Sequence, residues 1–304
     1  MRNMDLRGAD LHAAKLRMCT MTSTDLAEAD LRGANLRMCN LAGANLAEAN
    51  MAGVYMHMVD GTAAVLRHAV LTNTRCSSTR FARASFEGAN LENTCLERCD
   101  LSSARFEGVC APRVQLIDCT CVHTVFTGAK LNGAVFTRTV CVDASFNHAF
   151  MMFAQLAHAN LANARFVRAD MRGANLRMAN LMGANLTEAD LTGADLTGAN
   201  LTMANLTRAR LDNTTLTGVV SDALRARGVS TVSLPMGDGW RQLQVSGTSS
   251  TVHLCATEDA PGETITVDQL RQLVDDGPLL AAVEALHDEL RRRAAAETLR
   301  GGER

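Results

Sequence analysis

The sequence predicts a solenoid whose backbone turns a corner every five residues. From Leu6 to Leu216, every fifth position carries a large or medium apolar residue, and only Gly61 and Ala111 are small among these 43 positions. Two residues earlier the side chain is always small, with Met4 as the single exception. A period of five fits neither a continuous helix nor a continuous strand. Stacked coils that bury two residues of every five fit it, and a repeat held this long defines the architecture.

Several of the repeats resemble the pentapeptide-repeat family. The closest resemblance is at Ala-Asn-Leu-Arg-Met (34–38), Ala-Asp-Leu-Thr-Gly (189–193) and Ala-Asn-Leu-Thr-Met (199–203), and it extends over about residues 4–218. The resemblance implies an all-β solenoid: a right-handed quadrilateral parallel β-helix with four repeats per coil and about 10–11 coils. At about 4.8 Å per stacked strand, the rod would be roughly 50 Å long.

The spacing of particular residues supports a coil of 20 residues. Phenylalanines 20 positions apart would form one column inside the solenoid: Phe86, Phe106, Phe126, Phe146 and Phe166. Asparagines with the same spacing would form an outer column whose amides can hydrogen-bond along the axis: Asn160, Asn180 and Asn200.

Two places depart from the pattern. In Val54–Thr62, Gly61 occupies a core position, and in Val109–Val114 the core position is followed by Pro112. Because proline lacks a backbone donor and tends to lie where strand pairing lapses, we expect local bulges at both places. The register should survive on either side.

The repeat ends after Thr217, so we divide the chain into a β-helix (1–219) and a small α+β C-terminal segment (220–304). No family is recognised in the second part. The pattern there predicts a short helix at 222–227, a hairpin of strands 229–234 and 240–245 around Pro-Met-Gly-Asp-Gly, a third strand at 251–257, a linker at 259–263, and helices at 267–274 and 278 to about 299.

Composition argues against several function classes. The net charge is −2, with +2 in residues 1–219 and −4 in residues 220–304, which is weak for a nucleic-acid binder or a mimic of nucleic acid. We expect no direct nucleic-acid binding. Without a run of 18 apolar residues or a leader, we expect no membrane insertion and a cytoplasmic protein. Seven of the ten cysteines occupy core positions of the repeat as small hydrophobes, which is typical of a reducing compartment.

No catalytic, cofactor or metal site is predicted. The cluster Cys95, Cys99, Cys110, Cys119, Cys121 and His123 suggests zinc, but the register places three of these cysteines inside (99, 119, 121) and two outside (95, 110), so they diverge. The histidines of the repeats all lie on outward positions. Outward carboxylates at 5 and 25, and at 10 and 30, would stack and raise each other's pKa, although water screens them.

Exposed apolar residues indicate contact areas instead. The candidate interaction surface comprises Met18, Met38 and Met58 beside Arg17 and Arg37; Phe150, Met152 and Phe153 on one coil; and the stripe Leu279, Val283, Leu286 and Leu290 of the last predicted helix. Val122, Val142 and Met182 form a further outward column. Two explanations stay open: these patches contact other proteins, or the C-terminal segment covers one of them.

Our leading hypothesis is a non-enzymatic scaffold or adaptor built on a rigid rod. The alternative is a modulator of a type II topoisomerase that protects or inhibits DNA gyrase by DNA mimicry, which the family resemblance implies but the slightly basic rod does not favour. A third possibility is a structural component of a virion or secretion assembly. Because an open solenoid end exposes strand edges, we expect the uncapped N-terminal coil to contact another chain, as in a homo-oligomer.

Overall fold

The computed structural model describes residues 2–216 and 218–219, together with the backbone of four strands between positions 229 and 266. Residues 2–219 form a parallel β-solenoid. A tight turn recurs every five residues, and parallel bridges join residues 20 positions apart, from Asp5 with Asp25 to Asp195 with Thr215. The coil is therefore 20 residues long and carries a bridge every five residues, as the spacing predicted.

On one wall the bridges lengthen into strands of three residues. Strand β1 spans Tyr55–His57, β2 Arg75–Ser77, β3 Cys95–Glu97 and β4 Gln115–Ile117. They form one parallel sheet in the order β1-β2-β3-β4, and each residue pairs with the residue 20 positions later. The middle residue of each strand is buried, and its two neighbours point outward.

Within each five-residue repeat, particular backbone positions donate hydrogen bonds to the neighbouring coils. The N–H of Leu26 donates to the Asn45 carbonyl of the next coil at 2.6 Å, and the N–H of Asp25 donates to the Met4 carbonyl of the previous coil at 2.9 Å. The N–H of Ala27 instead donates to the Asp25 side-chain oxygen at 3.1 Å. The residue after this core position therefore gives no backbone donor to a neighbouring coil.

The last residue of each repeat has a left-handed backbone. Its φ lies between 50 and 68° in every described repeat. Positive φ at the third residue is a property of type II turns, which usually place glycine there. Glycine does so here at positions such as Gly33, but Met18 and Phe153 adopt the same conformation at a cost of roughly 1 kcal/mol each. These side chains therefore project from the corners of the solenoid.

The core contains the predicted phenylalanine column. The rings of Phe86 and Phe106 stack with centroids 4.5 Å apart, and those of Phe126, Phe146 and Phe166 follow at 4.9 Å steps. The prediction that these residues share one wall is confirmed. Each aromatic pair contributes about 0.5–1.5 kcal/mol beyond its burial, so the column stabilises the middle coils in particular.

The bulge expected at Gly61 is wrong. The bridges Asn40 with Asp60 and Asp60 with Arg80 keep the regular offset, and the N–H of Gly61 donates to the Arg80 carbonyl at 2.7 Å. The small residue is needed because the Phe81 ring fills its space: a Cβ on Gly61 would lie 2.6 Å from Phe81 Cε1. A large residue on one coil thus compensates for a missing side chain on the coil before it.

The bulge expected at Pro112 is also wrong. The N–H of Cys110 donates to Ala89 and the N–H of Ala111 to Lys130, both at 2.9 Å, so pairing continues through the site. Proline is tolerated here because it occupies the position directly after the core residue. In the Leu26 repeat, the N–H of the residue at this position does not donate to a neighbouring coil, so the N–H that proline lacks is not needed. The predicted survival of the register is confirmed.

The four further strands form a second, antiparallel sheet. Strand β5 spans Val229–Met236, β6 Gly239–Ser246, β7 Thr251–Cys255 and β8 Glu263–Thr266, in the order β5-β6-β7-β8. The predicted hairpin and third strand are confirmed, but pairing reaches Met236 with Gly239, so the loop is shorter than predicted. Strand β8 was missed, although its Thr-Ile-Thr carries the β-branched residues typical of strands. The three predicted helices lie outside the described residues.

Candidate interaction surface

Three methionines form an exposed ridge along one corner of the solenoid. Met18, Met38 and Met58 are each the last residue of a repeat, and they lie 20 positions apart on three successive coils. Their left-handed backbone points them away from the core. Their side chains are 72, 45 and 54% exposed. The predicted outward column is therefore present, and we call it the methionine ridge.

Positive charge flanks the methionine ridge. Arg17 and Arg37 directly precede ridge methionines, while Lys15 and Arg75 lie on the same wall. None of the four forms an ion pair with a described residue, whereas most arginines of the described solenoid do, as Arg32 does with Asp30 at 2.6 Å. The Nε atom of Arg37 is buried without a hydrogen-bond partner among the described residues. These four cations are thus not paired with any carboxylate of the described residues.

An aromatic pair completes this wall. The rings of Tyr55 and His57 in strand β1 lie nearly parallel with centroids 6.5 Å apart, and Tyr55 is exposed. A 2.8 Å hydrogen bond joins His57 Nδ1 to Ser77 Oγ on the next coil, which orients the imidazole. No carboxylate occurs in the four segments 15–18, 35–38, 55–58 and 75–78. We call the following residues the methionine surface: Lys15, Arg17, Met18, Arg37, Met38, Tyr55, His57, Met58 and Arg75.

The second predicted patch is exposed but partly engaged with its own chain. Phe153 is 66% exposed and Phe150 is also exposed, whereas Met152 is half-buried. The Phe153 ring lies over Gly173, where an added Cβ would be 2.6 Å from the ring. Arg172 contacts Met152 Sδ at 3.2 Å and forms an ion pair with Asp170 at 2.7 Å. In this patch, Arg172 is therefore paired with a carboxylate and the Phe153 ring is partly covered by its own chain, in contrast to the arginines and methionines of the methionine surface.

The third column is less continuous than the sequence suggested. Val122 and Val142 are half-buried and Met182 is exposed, but Ala162 between them is buried. The residues predicted on the last helix, Leu279, Val283, Leu286 and Leu290, lie outside the described residues. Among the predicted patches that the structure describes, the methionine surface is thus the one that combines exposed apolar side chains with unpaired cations.

The outward carboxylates stack as predicted, and Asp5 and Asp30 form ion pairs with arginines. Asp5 lies beside Asp25 and Asp30 beside Asp10, as predicted. However, the side-chain hydrogen bonds from Arg7 lower the pKa of Asp5 to about 2, and those from Arg32 lower the pKa of Asp30 to about 2. For Asp5 and Asp30, the arginine two positions later outweighs the repulsion between like charges. The sequence signal was the recurrent Asp-x-Arg at 5–7 and 30–32.

The cysteines lie where the register predicted. Cys99, Cys119 and Cys121 are buried, whereas Cys95 and Cys110 are half-buried on outward positions, and all are free thiols. Burial raises the pKa of Cys121 well above its usual value. Within the described part of the chain, no group of three or more histidine, cysteine or acidic side chains converges as metal ligands would. Nor does any helix there have the length and apolar character to cross a membrane.

These observations define a class: a parallel β-solenoid of five-residue repeats with a phenylalanine-filled core and apolar corner residues. A family model described as pentapeptide repeats matches the chain in eight copies between residues 5 and 218. The chain belongs to the pentapeptide-repeat family.

Several solved structures are similar to this chain. HetL, a pentapeptide repeat protein involved in heterocyst differentiation regulation in the cyanobacterium Nostoc, is 26% identical over 73% of this chain and 90% of its own, with a TM-score of 0.40. The plasmid-mediated fluoroquinolone resistance protein QnrB1 is 22% identical over 62% of this chain and 92% of its own, with a TM-score of 0.35. A pentapeptide repeat protein from the Arabidopsis thaliana thylakoid lumen is 30% identical over 32% of this chain and 68% of its own, with a TM-score of 0.31. Comparison with curated proteins finds no match.

Proposed function

We propose that this protein is a non-enzymatic scaffold that holds partner proteins on the walls of a right-handed quadrilateral β-helix. The observation that carries the proposal is the methionine surface, where exposed apolar side chains lie beside cations that form no ion pair with a described residue. Methionine, arginine and tyrosine are enriched at protein interfaces, and contiguous exposed apolar side chains mark contact areas.

The solenoid suits this role because it fixes the backbone of its walls. Backbone hydrogen bonds of about 2.6–3.0 Å join consecutive coils at Leu26, Leu46 and Leu66 alike, and the stacked phenylalanines fill the core behind the walls. A wall held in this way loses little conformational entropy when a partner binds. The protein then needs no loop closure or folding step to present its surface.

Site-specific photo-crosslinking tests the proposal. A photoreactive amino acid is placed at Met38, on the ridge, and in a matched variant at Glu48, which is also exposed, ends a repeat and has φ near 59°. We expect a defined protein to crosslink from Met38 but not from Glu48, and to bind again when both components are purified. Identical products from the two positions, or no product from any candidate patch, would reject a surface-directed scaffold.

The gyrase alternative predicts an acidic rod, and the described charges do not favour one. Asp5, Asp118 and Asp170 each accept hydrogen bonds from an arginine, which neutralises them locally. A supercoiling assay with purified DNA gyrase tests this alternative directly. Inhibition by the wild-type protein would replace the scaffold proposal with it.

We further propose that the first coil contacts a second copy of the chain and that the protein works in the cytoplasm. Leu6, Leu11 and Leu16 are only half-buried, whereas leucines such as Leu26 are fully buried, so association would remove apolar surface from water. The free thiols support a reducing compartment. A monomer by light scattering at high concentration would remove the oligomer proposal, and purification of the protein from an oxidising compartment would remove the location.

A further inference from the structure

We infer that the methionine surface binds an acidic amphipathic helix of a partner protein, laid along the solenoid axis with its apolar residues on the methionine ridge. The inference rests on the proposed scaffold function and deepens it by naming the chemistry of the partner. Three features of the surface carry it: charge, spacing and apolar exposure.

Charge indicates an acidic partner. Arg17, Arg37 and Arg75 form no ion pair with a described carboxylate, although most arginines elsewhere on the described solenoid do, within their own coil or with a neighbouring one. Arginine presents a planar fork of donors that matches a carboxylate, so glutamate or aspartate side chains are the groups this wall can hold.

Spacing favours a helix over an extended strand. Consecutive coils are about 4.8 Å apart, so the steps from Met18 to Met38 to Met58 span about 10 Å. Successive turns of a helix place residues i, i+4 and i+7 on one face over about 10.5 Å. Alternate residues of a strand would cover about 13 Å over the same two steps and would lose register with the ridge.

Apolar exposure favours a protein over a nucleic acid. The centre of the surface is the methionine ridge, 45–72% exposed, whereas a phosphate backbone offers no apolar group to cover it. Binding to nucleic acid depends on a strong positive field, and residues 1–219 carry a net charge of only +2. Methionine is flexible and polarisable, so the ridge can adapt to leucine or phenylalanine side chains of a helix.

A designed peptide tests the inference on the full chain. The probe is a fluorescein-labelled helical peptide with leucines at i, i+4 and i+7 flanked by glutamates, and a second probe carries glutamine at each glutamate. We expect the acidic peptide to bind measurably by fluorescence anisotropy and to bind at least about tenfold more weakly to the Arg17→Glu/Arg37→Glu variant. Its affinity should fall as salt rises, because exposed charge pairs are screened.

A matched variant and a second substitution separate binding from folding. Arg83 and Arg165 are also exposed and form no ion pair with a described residue, so Arg83→Glu/Arg165→Glu carries the same charge change elsewhere and should keep the wild-type affinity. Met38→Ala should weaken the acidic peptide several-fold without changing the salt dependence. Circular dichroism and thermal melting confirm that every variant is folded.

Three results would overturn the inference: equal binding of the glutamate and glutamine peptides, equal loss in both charge-reversal variants, or tighter binding of a DNA duplex that the Arg17→Glu/Arg37→Glu change abolishes. The proposed scaffold function fails separately. If a protein crosslinks from Met38 but no acidic peptide binds, the scaffold proposal stands and the acidic helical partner is wrong.

Discussion

The pairing of Gly61 with Phe81 makes a strong prediction about stability. Leucine is the usual residue at core positions, so Gly61→Leu would restore the repeat pattern, yet we expect it to destabilise the protein. A Cβ at this position would lie 2.6 Å from Phe81 Cε1 and 2.7 Å from Cδ1, and the ring is fully buried and cannot move into solvent. The backbone of Gly61 is not left-handed, so the substitution tests space alone.

The magnitudes follow from the packing. Overfilling a dense core costs about 1–3 kcal/mol, which we expect for Gly61→Leu. Phe81→Leu should cost about 1–2 kcal/mol, because it leaves a partial cavity and removes the edge-to-face contact with Phe86 at 5.3 Å. The double variant places leucine on both coils, as most of the core does, so its free energy of unfolding should return to within about 1 kcal/mol of wild type.

Urea unfolding of the four proteins of this cycle, monitored by far-ultraviolet circular dichroism, measures the coupling, provided that their m-values agree. Gly61→Leu combined with Phe166→Leu is the control, because these residues lie several coils apart and their effects should add. Additive effects of Gly61→Leu and Phe81→Leu would refute the reasoning, since the clash would then not involve the Phe81 ring.

Three further predictions concern acid, backbone and thiol chemistry. Arg32→Gln should raise the pKa of Asp30 from about 2 towards its ordinary 3.8 in an NMR titration, and an unchanged pKa would contradict the assignment. The lowered pKa stabilises the folded state fully above about pH 4, so the difference in stability between variant and wild type should be largest there and should disappear as pH falls towards 2. Gly108→Ala should cost about 1 kcal/mol in thermal unfolding, because φ is 63° while the added Cβ meets no atom within 4 Å, and a neutral result would show that the corner carries no strain. When native protein is treated with a maleimide, mass spectrometry should detect labelling of Cys95 long before labelling of Cys121, since Cys121 is inaccessible and its pKa is raised. Equal labelling rates would mean that the core opens readily.

Much of the solenoid was predictable because stacking converts sequence spacing directly into contact. Phe86 and Phe106 are 20 positions apart, and no other arrangement of a 20-residue coil brings them together. The same arithmetic placed Met18 beside Met38. The bulge expected at Gly61 was wrong for a related reason: the residue that fills its space, Phe81, lies one coil later, and local inspection of Val54–Thr62 cannot show it.

The candidate surface was only half predictable. The outward methionines followed from the period, but the state of each charge did not. Arg32 and Arg17 both occupy the position after a core residue, yet Arg32 pairs with Asp30, while Arg17 follows Lys15 and forms no ion pair with a described residue. Which cations stay unpaired depends on the neighbours within the coil and on those above and below it.

By itself, the sequence determined the period, the parallel stacking and the identity of the core residues, because a five-residue repeat can bury its apolar side chains only against copies of itself. The tertiary structure alone decided that Phe81 replaces the missing side chain of Gly61, that Pro112 leaves the hydrogen-bond ladder intact and that Arg37 Nε has no partner among the described residues. These outcomes depend on distances of a few tenths of an ångström between coils, which no spacing of residues along the chain can express.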